Sequence, residues 1–227
     1  MAASSSTAAP WTELPDDLTV NILQRLDIAD IVMGAQLVCS TWWRVCKNPA
    51  MWRMIELKLD GFEVDNFLNY IVQRSSQLLR LTLKTNYTIM TAEALKKLPQ
   101  LEELHLITTH RLSPEDFETI GFACPLLKSL TYTNRWVSND EYSLIRTRSS
   151  RCYQDIGFSQ QAVAIANTMP NLRHLRLSGY FCLGNKGLEA ILDGCTHLQL
   201  LHLGECPGFL PSALYKRCYE QIKEFSL

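Results

Sequence analysis

The feature that most limits the fold of this chain is a spacing. From Trp52 onward an apolar residue, two others, an apolar residue, one other and an apolar residue recur along the sequence. Leu78-Leu81-Leu83, Leu101-Leu104-Leu106, Leu127-Leu130-Tyr132, Leu172-Leu175-Leu177 and Leu198-Leu201-Leu203 carry it, and Trp52-Ile55-Leu57 is a degenerate first copy. The central positions 55, 81, 104, 130, 175 and 201 are separated by 26, 23, 26, 45 and 26 residues. Each copy predicts a short strand with one buried face. One such unit cannot bury that face alone, whereas stacked units bury a continuous core.

Helical pieces lie between the strands. TAEALKKL places Ala92, Leu95 and Leu98 on one face. SPEDFETIGFAC opens with Ser113 as N-cap, Pro114 at the first position and Asp116 in the first turn. Phe117 and Ile120 turn inward there, with Phe122 as a further candidate. SQQAVAIANTM and NKGLEAILDGC repeat the plan. The period fits the 20–29 residues of leucine-rich repeats. About five or six repeats make a short arc, an α/β solenoid over residues 53–227 with an insertion at about 135–157. That insertion holds Arg146, Arg148 and Arg151 beside Ser149 and Ser150. It reads as a solvated loop, a basic contact patch or a phosphorylation switch acting through the arginines.

Side chains that alternate with the strand leucines point to the opposite, concave face. Arg80, Thr82, Lys84, Glu103, His105, Thr131, His174, Arg176 and His202 are therefore the candidate residues for holding a target protein. A plainly solvated face is the competing reading of the same positions.

The N-terminal part follows different rules. The stretch ELPDDLTVNILQRLDIADIVMGAQLVCSTWWRVC crowds Leu18, Val20, Ile22, Leu23 and Leu26 into nine residues. On a helix these spread over roughly 200°, interrupted only by Thr19. One core needs an apolar stripe little wider than about 100°, so the helix has surface left for a second partner. Pro15, Asp16 and Asp17 suit its start. Two further short helices follow, one around Asp30–Ala35 with Ile31 and one with Trp42, Trp43 and Val45, before Pro49 and Trp52. Adjacent helical residues point about 100° apart, so Trp42 and Trp43 cannot both face one core.

Composition excludes several function classes. The formal net charge of −1 gives no global attraction to nucleic acid or anionic membrane. No apolar run reaches the ~18 residues of a membrane span. The first ten residues lack a signal-peptide pattern and read as a disordered tail. The eight cysteines form no CxxC pair and read as reduced, mostly buried thiols rather than a zinc site. The chain is expected in the cytoplasm and/or nucleus. Gly179–Gly187 imitates a phosphate-binding loop, but Asn185 stands where that loop needs Lys, and glycine there serves a turn. No cofactor, catalytic residue or metal ligand set is implied.

Leu14-Pro15-Asp16-Asp17-Leu18, Ile22-Leu23, Leu26, Asp30-Ile31, Val38-Cys39, Trp42 and Trp52 resemble the F-box motif over residues 11–52. The later repeats resemble the cysteine-containing leucine-rich repeat, with Cys195 and Cys206 at its cysteine positions and Cys124 equivalent to Cys195. Together they are similar to plant F-box proteins with short leucine-rich repeats. The resemblance implies a three-helix F-box that binds a Skp-type adaptor, and through it a cullin–RING ubiquitin ligase. On matching motif positions it assigns the adaptor face to Leu14, Pro15, Leu18, Ile22, Leu23, Leu26, Ile31 and Val38, some of which must pack the module internally. It implies a non-catalytic receptor. The alternatives are a scaffold whose F-box-like helices only cap the solenoid, and a thiol- or metal-dependent enzyme. Larger relatives enclose small hormones, and this chain is too short to form such a pocket. For the C-terminus, either Leu214–Ile222 folds over the last strand as a cap or the chain is an abbreviated member.

Overall fold

The computed structural model describes residues 11, 13–59, 64–74, 77–85, 95–135, 156–179, 183–204 and 212–227. The insertion arginines and serines, Ala92, and Cys152, Cys182 and Cys206 lie outside these. Three short helices come first: α1 (Asp16–Leu23), α2 (Ile28–Met33) and α3 (Ser40–Cys46). Single 3-10 turns at Ala35–Leu37 and Pro49–Trp52 follow α2 and α3. Pro49 therefore opens a turn rather than simply ending a helix, as its fixed φ favours.

Strands and helices then alternate: β1 (Met54–Leu59), α4 (Val64–Arg74), β2 (Arg80–Thr85), β3 (Glu103–Thr108), α5 (Pro114–Ala123), β4 (Ser129–Asn134), α6 (Ile156–Thr168), β5 (His174–Gly179), α7 (Asn185–Gly194), β6 (Leu200–Leu203), α8 (Ser212–Gln221) and β7 (Glu224–Ser226). The seven strands among the described residues form one parallel sheet in sequence order. This is an α/β chain in which each strand adds to the edge left by the one before.

The repeat period is the register of that sheet. Ile55, Leu81, Leu104, Leu130, Leu175, Leu201 and Phe225 pair in one continuous row. Leu57, Leu83, Leu106, Tyr132, Leu177 and Leu203 form a second. All are buried except Phe225, which is half-buried. The first apolar position of each copy (Trp52, Leu78, Leu101, Leu127, Leu172, Leu198) is buried too. Backbone bonds recur with the same period. The N–H groups of Glu102 and Glu103 donate to the Leu79 carbonyl, those of Lys128 and Ser129 to Glu102, and those of Arg173 and His174 to Lys128.

Beyond the expected copies lies a seventh strand. Ile222, Phe225 and Leu227 repeat the same spacing, and β7 pairs parallel to β6. Leu214, Cys218 and Ile222 are buried beneath it. The C-terminus thus adds another helix and strand, not a cap folded across β6.

Helices pack behind the sheet, and glycines set how closely. A Cβ on Gly121 of α5 would sit 2.1 Å from Thr168 Oγ1 of α6, and one on Gly194 of α7 would sit 2.5 Å from the Ala166 carbonyl oxygen of α6. At the end of β5, Gly179 has φ +89° with the Asn134 backbone against it, a conformation L side chains rarely adopt. On α5 the capping box is complete: the Asp116 N–H donates to Ser113 Oγ at 3.2 Å, and the Ser113 N–H to Asp116 Oδ2 at 2.7 Å. Phe117 and Ile120 are buried, but Phe122 is 75% exposed. At two residues past Ile120 it lies some 200° around the helix, away from the sheet.

Candidate functional site

Two faces carry the candidate binding residues. The first is the N-terminal module. α1 begins with acidic residues at its positive end, and Asp16 also binds Arg44 of α3 at 2.7 Å. Its inner side is Thr19 and Leu23, at 1% and 0% exposure. Thr19, the polar interruption in the apolar pattern, faces the core because its hydroxyl donates to the Pro15 carbonyl at 3.1 Å. That backbone bond satisfies the hydroxyl without water.

This sorts the eight candidate adaptor residues. Leu23 and Ile31 are buried in the module's own core. Leu14 and Ile22 are half-buried. Pro15, Leu18, Leu26 and Val38 are exposed. Met33 and Leu37, each 72% exposed, and Trp43 also present apolar surface, although the motif positions did not single them out. Their signal was available: apolar residues on helices too short to bury every side. The tryptophan pair divides as helical geometry requires. Trp42 packs on the core, whereas Trp43 is exposed with Lys47 Nζ 3.5 Å from its ring centroid.

The module is fixed to the first repeat. Trp52 is buried, its Nε1–H donates to the Cys46 carbonyl at 2.8 Å, and Tyr70 of α4 meets it edge-on at 6.1 Å between ring centroids. The Tyr70 hydroxyl and Arg74 both donate to Gln36 Oε1, at 2.9 and 3.2 Å. A cleft of about 520 Å³ opens along this seam, lined among others by Leu26, Ile31, Met51, Glu56, Arg80 and Thr82. It joins the module directly to the open face of the sheet.

That open face is the second candidate surface. All nine candidate target-binding residues alternate with the buried leucines and lie on it. Thr82, His105, Thr131, Arg176 and His202 form one row across five strands, and Arg80, Glu103 and His174 lie in the neighbouring row. Lys84 donates to Glu56 Oε1 at 2.6 Å, and Arg80 holds both Glu103 oxygens at 2.5 and 2.9 Å. The Arg80 bond therefore holds the Glu103 carboxyl below its ordinary value. Burial pushes the His105 imidazole down, against the raising effect of Glu103, and nearby Arg80 and Arg176 lower it further.

Of the described thiols, Cys46, Cys124, Cys195 and Cys218 are buried and Cys39 is half-buried. Cys124 and Cys195 close α5 and α7 from equivalent positions, and Cys195 Sγ lies 3.7 Å from the Met169 carbonyl. Burial raises their pKa values to about 12 and about 11. They are thiols rather than thiolate nucleophiles at neutral pH. Among the described residues, no three His, Cys, Asp or Glu side chains gather around a possible metal position. No described helix is long and apolar enough to cross a membrane.

Comparison with known proteins matches residues 11–58 to the F-box-like family. Three Arabidopsis thaliana proteins are each 36% identical to the chain. F-box/LRR-repeat protein 23 matches over 94% of this chain and 52% of its own length. F-box/LRR-repeat protein 22 matches over 95% and 76%. F-box protein SKIP19 matches over 98% and 81%. The chain thus spans about half of the first relative and three-quarters or more of the other two. An F-box-like segment fixed to a row of leucine-rich repeats, with this similarity along nearly its whole length, makes the chain a member of the plant F-box/LRR-repeat proteins.

Proposed function

We propose that the chain is the substrate-recognition subunit of an SCF-type cullin–RING ubiquitin ligase. Its module binds a Skp-type adaptor, and the open face of its sheet binds a target protein. The observation that carries this reading is the exposed apolar surface of the module. Leu18, Leu26, Met33, Leu37 and Val38 are each at least 40% exposed, and apolar residues gathered on one small module mark a protein-interaction site. The module's attachment to the first repeat supports the second half, because a target on the sheet would lie at a fixed position relative to the adaptor. The chain itself supplies proximity rather than chemistry, raising the effective concentration of target lysines near a ubiquitin-charged enzyme. It acts in the cytoplasm and/or nucleus.

Co-purification with a Skp-type adaptor tests this. Wild type is expected to bind, and the Leu14→Ala/Pro15→Ala double variant to lose at least tenfold in affinity while keeping its circular dichroism spectrum. If wild type is folded and does not bind, the helices serve only as the end of the solenoid and the scaffold reading replaces this one.

A further inference from the structure

The described sheet ends on two unlike edges. The β7 edge is three residues long, whereas the β1 edge is six and stands beside the N-terminal module. The phase of the β1 backbone follows from one carbonyl. The Leu79 and Arg80 N–H groups donate to the Arg53 carbonyl at 2.9 and 3.0 Å, so Arg53 turns its backbone toward β2. Bonding direction alternates from residue to residue along a strand. Ile55 and Leu57 therefore bond to β2, and the N–H and C=O groups of Met54, Glu56 and Lys58 point out from the opposite edge. No described strand pairs with that edge, and no described backbone bond reaches these three residues.

The same three residues line the 520 Å³ cleft at the seam, together with Leu26, Ile28 and Ile31 of the module. Backbone donors and acceptors and apolar side chains thus share one cleft. An unpaired edge is a template for another chain. The mode that fits is strand addition, in which main-chain bonds hold the guest and alternate side chains set its identity. Charge narrows the guest further. Met54, Glu56 and Lys58 carry their side chains on the open-face side, and there Lys58 and Lys84 both pair with Glu56, at 3.7 and 2.6 Å. Two cations against one carboxylate suit an acidic side chain on the incoming strand. Its alternate side chains fall on the other side, level with Ile55 and Leu57, where apolar residues are favoured.

We propose that the free edge of β1 takes up an extended segment of the target protein as a further strand, with alternating apolar residues and an acidic residue beside Lys58. The backbone groups of Met54, Glu56 and Lys58 hold it. The proposal rests on the reading that this chain holds a target, and it names the place and the chemistry of the contact.

The test is residue-resolved amide hydrogen exchange by NMR on the full chain, with N-acetyl-Val-Glu-Val-Thr-Val amide as the probe. At saturation the Met54, Glu56 and Lys58 amides are expected to slow by about tenfold or more, with Ile55 and Leu57 unchanged. Absence of saturable protection, or protection without this alternation, overturns the edge. Two derivatives test the main chain without altering the protein, one methylated at the valine amide nitrogens and one at those of Glu and Thr. One derivative should lose about tenfold or more in affinity and the other stay within about threefold, because alternate amides point to opposite edges. Equal losses, or none, overturn main-chain pairing. A probe with Lys in place of Glu should bind about threefold more weakly or worse, and equal binding overturns the acidic assignment. Protection of the same three amides that grows with protein concentration in the absence of probe overturns the proposal in favour of a second copy of this chain. Adaptor binding plays no part in these measurements. A chain that binds adaptor but not the probe loses this inference alone, and one that binds the probe but not adaptor loses the receptor reading alone.

Discussion

The N-terminal module and the repeat sheet are both rich in leucine, isoleucine and valine, yet they use them differently. In the sheet, the row from Ile55 to Leu201 is at most 3% exposed at every position. In the module, Leu37 and Val38 are 72% and 64% exposed. A repeat strand has neighbours on both sides and helices behind it, so its apolar residues are covered by the chain itself. Three helices of six to eight residues enclose only a small volume, and the apolar side chains outside it remain on the surface. Apolar content alone therefore says little about stability. What matters is whether a residue has an internal partner.

Substitutions can break or sharpen this contrast. The largest loss is expected at the seam: Trp52→Ala should cost about 3–5 kcal/mol, because it removes a buried ring together with its bond to Cys46. Leu130→Ala, at 0% exposure in the middle of the sheet, should cost about 2–5 kcal/mol. Both are measured by urea unfolding, and a loss under half a kcal/mol at either site would contradict the continuous core. Gly194→Ala should cost about 1–3 kcal/mol, since its methyl group would strike the α6 backbone and overpacked helix contacts relax poorly. Leu37→Glu in the module should change stability by no more than about 0.5 kcal/mol. Its adaptor affinity should nevertheless fall at least tenfold, and a variant that unfolds instead would place Leu37 in the core.

The smallest effect concerns Glu103. Arg80 holds its folded-state pKa below the ordinary value, so the pair stabilises the fold above the ordinary carboxylate range. The contribution is lost as the pH falls through the depressed folded-state value. Both side chains are more than a third exposed or close to it, which limits the gain to about 1 kcal/mol or less. Glu103→Gln should reproduce that small loss at neutral pH and converge with wild type in acid; a gap that widened on acidification would reverse the sign.

Much of this was legible in the residues, for identifiable reasons. The leucine spacing is the sheet register itself, so positions 55, 81, 104, 130, 175 and 201 named the central row before any fold was known. Ser113, Pro114 and Asp116 act within one helical turn, and local hydrogen bonds read directly from sequence. The seventh strand was equally present in Ile222, Phe225 and Leu227, but an aromatic centre and a terminal position hid the spacing. At Phe122 the apolar character misled, because helical phase rather than hydrophobicity decides which way a residue points.

The sequence by itself determined the period, the strand faces and the family of the N-terminal module, since each depends on contacts between residues a few positions apart or on a repeat of them. Tertiary structure alone decided that Leu23 and Ile31 turn inward while Leu37 and Val38 do not, and that Thr19 joins the core. It also decided that Arg176 and His202, register partners on neighbouring strands, line one cleft with Lys223. Those outcomes depend on which elements meet across long stretches of chain, and packing geometry, not local pattern, fixes that.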